Sequence, residues 1–392
     1  MSRELSYSKA MSNLGTETAF EIFAMAKELE KKGAKVIHLE IGEPDFDTPE
    51  HIKEAAVKAL KAGYTHYTPA PGILELRQSI SEKVSKEVGI DVDPNREVIV
   101  MPGAKPGLFM GILSTVNPGE EVLVPDPAFP IYRSVVEFIG AVAVSIPLKE
   151  EKNFRIDPED VRRKVTAKTK MLILNSPHNP CGSALTKSHI EALAEIARDN
   201  NLWVLSDEVY SKILYEGSHH SIASEPSMKE RTILIDGFSK TYAMTGWRLG
   251  YAIGPPQVIA HMVKLQINIA SCAPAFTQMA AIEALRGPQD STRKMVEEFD
   301  RRRKTVVSGL NSIKGMSCKM PDGAFYVFPN VKKLGLSSRD IMMKILNKGY
   351  VATLHGEAFG PAGVGYLRLS YATSMENIKE GLSRIKQIVE KL

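Results

Sequence analysis

Between residues 97 and 253 the chain repeats one theme, a short apolar run followed by an amphipathic stretch. The runs are 97–101 (EVIVM), 121–124 (EVLV), 141–146 (AVAVSI), 170–174 (KMLIL), 202–205 (LWVL), 232–235 (TILI) and 250–253 (GYAI). They are rich in β-branched residues and continuous, without the in–out alternation of a half-exposed strand, so they predict strands buried on both faces. Stretches between them, such as 105–115 and 189–199, are spaced as helices. The sum is an α/β fold, a mostly parallel sheet flanked by helices.

After about Gly287 the texture changes. A long charged helical stretch (290–313) leads to a short strand-like piece (324–328), then to helical stretches 338–348 and 375–392. The last sets Ile378, Leu382, Ile385, Val389 and Leu392 on one face. The expected division is therefore three-part. Residues 49–287 form a large α/β domain and 288–392 a small α+β domain, while 1–48 pack on the small domain or on a partner subunit. No internal repeat or low-complexity tract interrupts this.

Composition narrows the class. With 392 residues, 43% of them hydrophobic, the chain can bury more than one core, and 24% charged residues fit an ordinary folded protein. The net charge of +4 is mild, and no basic block argues for nucleic acid. The densest run, Arg301-Arg302-Arg303-Lys304, follows Glu297, Glu298 and Asp300 and is expected to be a solvated helix face. Three widely spaced cysteines support neither a disulfide framework nor a zinc site, and no metal is expected. The first twenty residues lack the apolar core of a signal peptide, and the longest uncharged apolar stretch, 138–148, is too short to span a bilayer. A cytoplasmic protein is expected, with no nucleic-acid or membrane partner.

In a mostly parallel sheet, ligands sit beyond the carboxyl ends of the strands. Polar residues just after the apolar runs therefore matter most: 102–107, 175–182, 207–210 and 236–240. Taken singly, each has an ordinary reading. Lys240 could be a surface lysine, Asp207 a helix cap or loop acid, Tyr210 and Phe129 core aromatics, Asn179 a turn residue before proline, and Arg368 half of an internal ion pair.

Their company changes that. Residues 238–251 read FSKTYAMTGWRLGY, with 41–46 (IGEPDF) upstream and 368–372 (RLSYA) downstream. Taken together, these resemble the class I, aspartate aminotransferase-like family of pyridoxal 5′-phosphate enzymes of fold type I, in the family's order and approximate spacing. The resemblance implies a homodimeric aminotransferase. It would move the amino group of an L-amino acid to a 2-oxo acid, by analogy 2-oxoglutarate, in a ping-pong cycle. Lys240 matches the lysine that forms the Schiff base and shuttles the proton, and Asp207 the partner of the ring nitrogen. Tyr210 and Asn179 match contacts of the phenolic oxygen, Asn179 also touching the substrate carboxylate.

The same resemblance places Gly103, Ala104, Lys105, Ser239 and Arg248 at the phosphate. Phe129 stacks on the ring, where the family frequently has tryptophan. Gly42 and Arg368 hold the substrate carboxylate, and Tyr67 reaches the neighbouring subunit's site. Pro106, Gly237 in place of a frequent serine, and Cys181 in place of threonine depart from the commonest pattern. Cys181 is expected to pack as a small residue. The implied alternatives are a lyase or synthase of the same fold and a non-enzymatic cofactor-binding regulator. The identity of the amino donor stays open: aspartate, aromatic, alanine or diaminopimelate-like. Lys105 is a candidate for a distal carboxylate.

Overall fold

A computed structural model describes residues 5–392. All seven apolar runs are strands of one sheet: β1 (Val98–Met101), β2 (Glu121–Asp126), β3 (Val142–Pro147), β4 (Thr169–Asn175), β5 (Trp203–Asp207), β6 (Thr232–Gly237) and β7 (Gly250–Ile253). Their order is β1-β7-β6-β5-β4-β2-β3. Only β7 runs against its neighbours; the other pairings, from β6 across to β3, are parallel. Val204, Leu205, Ile233 and Ile235 in the centre are fully buried, as expected of strands covered on both faces.

Register decides which side chains meet. Asn175 of β4 stands level with Asp207 of β5, and Asp207 with Ile235 of β6. The parallel strands thus deliver Asn175, Asp207 and the residues after Gly237 to one edge of the sheet. The helix Lys105–Thr115 buries Leu108, Met110 and Ile112, and its N-terminus opens at the same edge, four residues after β1.

The C-terminal part is built from the helices Asp290–Asn311, Ser338–Gly349 and Met375–Val389. They accompany a three-stranded antiparallel sheet, Leu354–His355, Leu367–Ser370 and Tyr326–Val327, with the middle of these three strands central. The short strand Ile37–His38 pairs in parallel with Val351–Ala352, and the Ser370 N–H donates to the Leu39 carbonyl at 2.7 Å, tying the N-terminal segment to this part. One apolar core runs from Leu123 and Leu172 of the large sheet to Phe325 and Leu367 of the small one. Among the described residues no helix is long and apolar enough to cross a membrane.

Two expectations need correction. In Met375–Val389, Ile378, Ile385 and Val389 are buried and Leu382 partly so, each buried aliphatic being worth about 1.5–3 kcal/mol. Leu392, however, lies beyond the helix end and is 45% exposed. The basic run is only half a solvated face: Arg301 and Lys304 are exposed as expected, but Arg302 and Arg303 are 6% and 2% exposed. Arg302 bridges Asp45 at 2.7 Å and Glu298 at 2.9 Å, while Arg303 reaches Asp300 at 2.6 Å and the Pro321 carbonyl at 2.7 Å. Burial of these cations is compensated by partners up to 257 residues away.

Candidate active site

A cavity of about 770 Å³ opens at the carboxyl edge of the large sheet, its lining completed by Tyr326, Arg368, Ala372 and Thr373 of the C-terminal part and by residues between 17 and 45. Its lining gathers Gly42, Ala104, Lys105, Phe129, Asn179, Asp207, Tyr210, Ser239, Lys240, Arg248 and Arg368. Gly103 lies one layer back, and Tyr67 is not brought here: it is 88% exposed on the surface.

Lys240 sits on the single-turn helix Phe238–Thr241, which begins as β6 ends. Its Nζ donates to the Gly42 carbonyl at 2.5 Å and lies 5.7 Å from the centre of the Phe325 ring. Burial pushes its pKa down to about 8; Glu43 opposes the shift, and Arg368 and Arg248 reinforce it. Among the described residues no carboxylate forms an ion pair with it.

Asp207 ends β5 and is buried. The Tyr132 hydroxyl donates to Oδ2 at 2.7 Å and the Val209 N–H to Oδ1 at 3.3 Å. Desolvation nevertheless raises its pKa to about 6, against the pull of those two donors. Asn175 braces the turn: its Nδ2 donates to the Asp207 carbonyl at 3.0 Å, and its Oδ1 accepts the Asn179 N–H at 2.8 Å.

Arg368 comes from the middle strand of the small sheet and is buried. It donates to the Glu40 carbonyl and, at 3.4 Å, to Asn179 Oδ1; its Nε has no partner. The Tyr326 and Phe359 rings lie 4.6 and 5.0 Å from its centre. Burial depresses its pKa, and among the described residues no carboxylate pairs with it. A guanidinium so placed is an uncompensated buried cation with a free donor, a site made for an anion.

Arg248 offers a second guanidinium at the cavity, this one exposed and, among the described residues, without a carboxylate partner. Its backbone is left-handed, φ 52°, which is strained for a residue with a Cβ, and Nη1 donates to the Thr245 carbonyl at 2.9 Å. Gly103 backs it: at φ +100° only glycine is at ease, and a Cβ there would stand 2.4 Å from Arg248 Nη2. Just beyond are Ala104, the first-turn N–H groups of Lys105–Thr115, and Ser239. The Lys105 side chain turns away to pair with Glu17, its ammonium 5.2 Å from the Phe129 ring centre.

Among the lining residues to which the sequence assigned no role are the polar groups Tyr132, Tyr326, Glu17 and Asn175, the last inside the flagged stretch 175–182. A signal existed for Tyr326, a lone hydroxyl in an apolar strand, and for Asn175, a polar residue closing β4. The partners of Tyr132 and Glu17 are 75 and 88 residues away, which no local pattern reveals.

Comparison with known proteins agrees with this architecture. Residues 34–385 match the family described as aminotransferase class I and II. The aspartate aminotransferase of Pyrococcus abyssi is 46% identical over 357 residues, 90% of this chain and 92% of that one. The aromatic-amino-acid aminotransferase 2 of Thermococcus litoralis is 43% identical, covering 94% and 95%. The structure of the Thermus thermophilus aspartate aminotransferase with maleate superposes with a TM-score of 0.93 at 38% identity, over 98% of this chain and all of that one. The chain belongs to the class I and II aminotransferases. It is an aminotransferase of a family that uses pyridoxal phosphate.

Proposed function

We propose that this enzyme moves the amino group of an L-amino acid to 2-oxoglutarate in a ping-pong cycle, with pyridoxal phosphate bound to Lys240. One observation carries the reading: a primary amine at a strand exit, free of carboxylate partners and depressed to about 8, facing two arginines that lack anions. The donor set fits the cofactor. Gly103, Ala104, Lys105, Ser239 and Arg248 offer backbone N–H groups, a hydroxyl and a guanidinium to a phosphate. Buried Asp207 suits a protonated ring nitrogen, Phe129 supplies a flat apolar face, and Tyr210 with Asn179 suit the phenolic oxygen. When bound, pyridoxal phosphate supplies an electron sink at the substrate Cα.

The chain's own groups do the rest. Arg368, with Asn179 and the Gly42 backbone, holds the substrate α-carboxylate. Lys240, with a pKa near neutrality, accepts and returns the Cα proton. Tyr67, exposed on this subunit, completes the neighbour's site in a cytoplasmic homodimer. The fold divides at residues 48 and 287 into an N-terminal segment, a cofactor domain and a small domain.

Reconstitution followed by borohydride reduction tests the assignment: the cofactor should be fixed on Lys240 and nowhere else. Lys240→Ala should retain cofactor binding and lose nearly all turnover. Substantial turnover in that variant, or label on another lysine, would sink it. A panel of amino donors with 2-oxoglutarate then identifies the side chain accepted, aspartate and aromatic donors being the first to try because the relatives carry both names.

A further inference from the structure

Two buried hydroxyls meet where the large and small parts of the site touch. Tyr210 follows β5, Tyr326 belongs to the small sheet, and their oxygens are 2.8 Å apart. Among the described residues neither hydroxyl has another hydrogen-bond partner. The Tyr326 oxygen also presses on Gly42, where an added Cβ would stand 2.0 Å from it, and the Gly42 carbonyl accepts from Lys240. The face of the same ring lies under Arg368, 4.6 Å from its centre. One side chain thus touches a residue from each quarter of the site.

Each phenol has a single proton to donate. A bonded pair spends one of its two protons on itself, so the pair has a direction. If Tyr210 donates to Tyr326, the cavity sees only an acceptor at Tyr210. If Tyr326 donates, the Tyr210 proton is free to point into the cavity. Tyr326 has no other acceptor within reach among the described residues, with glycine Cα on one side and a cation on its ring.

We infer that Tyr326 is a positioning residue that donates its proton to Tyr210 and thereby aims the Tyr210 proton at the phenolic oxygen of the cofactor. This rests on the reading that Tyr210 contacts that oxygen. Hydrogen bonds in such a chain strengthen one another, so Tyr326 would make Tyr210 a better donor.

Phenylalanine substitutions in a double-mutant cycle test it, read by titrating the visible absorption of the reconstituted enzyme against pH. A donor at the phenolic oxygen favours its anion, so losing one raises the midpoint. Tyr210→Phe should raise it by roughly one to two pH units, the worth of a hydrogen bond to a charged group. Tyr326→Phe should raise it by a fraction of that, roughly 0.3–1 unit. In the Tyr210→Phe background, adding Tyr326→Phe should change nothing beyond about 0.2 unit, because the residue acts only through Tyr210. Asp207, Lys240, Arg368, Glu43 and Glu17, the charged groups around the pair, are common to all four proteins.

Maleate affinity should hold in Tyr326→Phe, which keeps the ring under Arg368, and fall in Tyr326→Leu. Additive shifts, an unmoved midpoint in Tyr326→Phe, or lost maleate binding in that variant would overturn the proposal while leaving the role of Tyr210 standing. An unmoved midpoint in Tyr210→Phe would overturn both. Should Tyr326→Phe not fold, 3,5-difluorotyrosine at position 326 keeps the hydroxyl as a stronger donor. The midpoint should then fall, and a rise would count against the inference.

Discussion

Replacing Arg368 by lysine tests the proposed division between substrate anchoring and cofactor binding. The guanidinium is buried, its Nε has no partner, and no carboxylate among the described residues compensates its charge. A substrate carboxylate can therefore take a planar two-pronged grip without first displacing an internal anion. Lysine keeps the charge and loses the fork. Breaking a buried charge-assisted pair costs about 2–5 kcal/mol. Retention of charge puts the lysine variant at the low end, about 2–3 kcal/mol, or roughly 30- to 150-fold at 1.4 kcal/mol per tenfold. Arg368→Ala should reach the upper end. Maleate titration reads this loss, while a cofactor-release assay and the visible spectrum of the holoenzyme should barely move. Arg248→Lys should do the reverse, loosening cofactor with little effect on substrate choice. Should Arg368→Lys release cofactor and leave maleate affinity intact, the two arginines have been assigned the wrong way round.

Asp207→Ala should cost turnover roughly 30- to several-thousandfold, the equivalent of losing a buried charge pair, and Asp207→Glu much less; equal small losses would reduce Asp207 to a loop acid. Lys105→Met should lower kcat/KM for aspartate by roughly 5- to 30-fold, a charge-assisted bond less the displaced Glu17 contact, and leave phenylalanine unchanged. Equal effects on both donors would exclude a distal-carboxylate role. The apo-protein should also show a pH-dependent benefit from Lys240→Met. The folded pKa of about 8 lies below the ordinary 10.5, so below pH 8 the cation costs stability in full. Between pH 8 and 10.5 the unfolded chain binds the extra proton and stability rises, by at most about 3 kcal/mol. The variant's advantage in melting temperature should be present at pH 7 and gone by pH 10.5; an advantage that grows with pH contradicts the burial argument.

Much of this was legible before the fold was known. Seven continuous apolar runs became seven strands because a sheet covered on both faces leaves no alternation to confuse the reading. Lys240, Asp207 and Asn179 fell in stretches flagged because ligands sit beyond the carboxyl edge of a parallel sheet, but only the resemblance of 238–251 and its companion motifs singled them out; the structure gathers all three in one cavity. What was misread was tertiary. Four basic residues in a row look solvated, yet Arg302 is buried because Asp45 arrives from the far end of the chain. Leu392 keeps the helical phase on paper, but the helix stops at Val389 and the phase no longer means a face. Tyr132 and Tyr326 matter through hydroxyls whose partners sit on other elements, and a hydroxyl in an apolar segment does not announce its partner.

The site's charges explain one another. Four cations line this cavity: Lys105 is paired with Glu17, Arg248 sits exposed at the rim, and burial raises the cost of the other two, Lys240 and Arg368. An arginine cannot shed its proton at a working pH, whereas a lysine can. The cost is therefore relieved at Lys240, whose pKa is lowered to about 8 by burial first, with the Arg368 and Arg248 charges adding to it, and the amine becomes available as a nucleophile and base. Asp207 moves the opposite way, to about 6, for the same first cause, burial. The two arginines that suit anionic ligands are thus also part of what makes the lysine reactive. That coupling is why an anion bound at either arginine must draw the lysine's pKa back up, and why anchoring and chemistry in this site cannot be tuned independently.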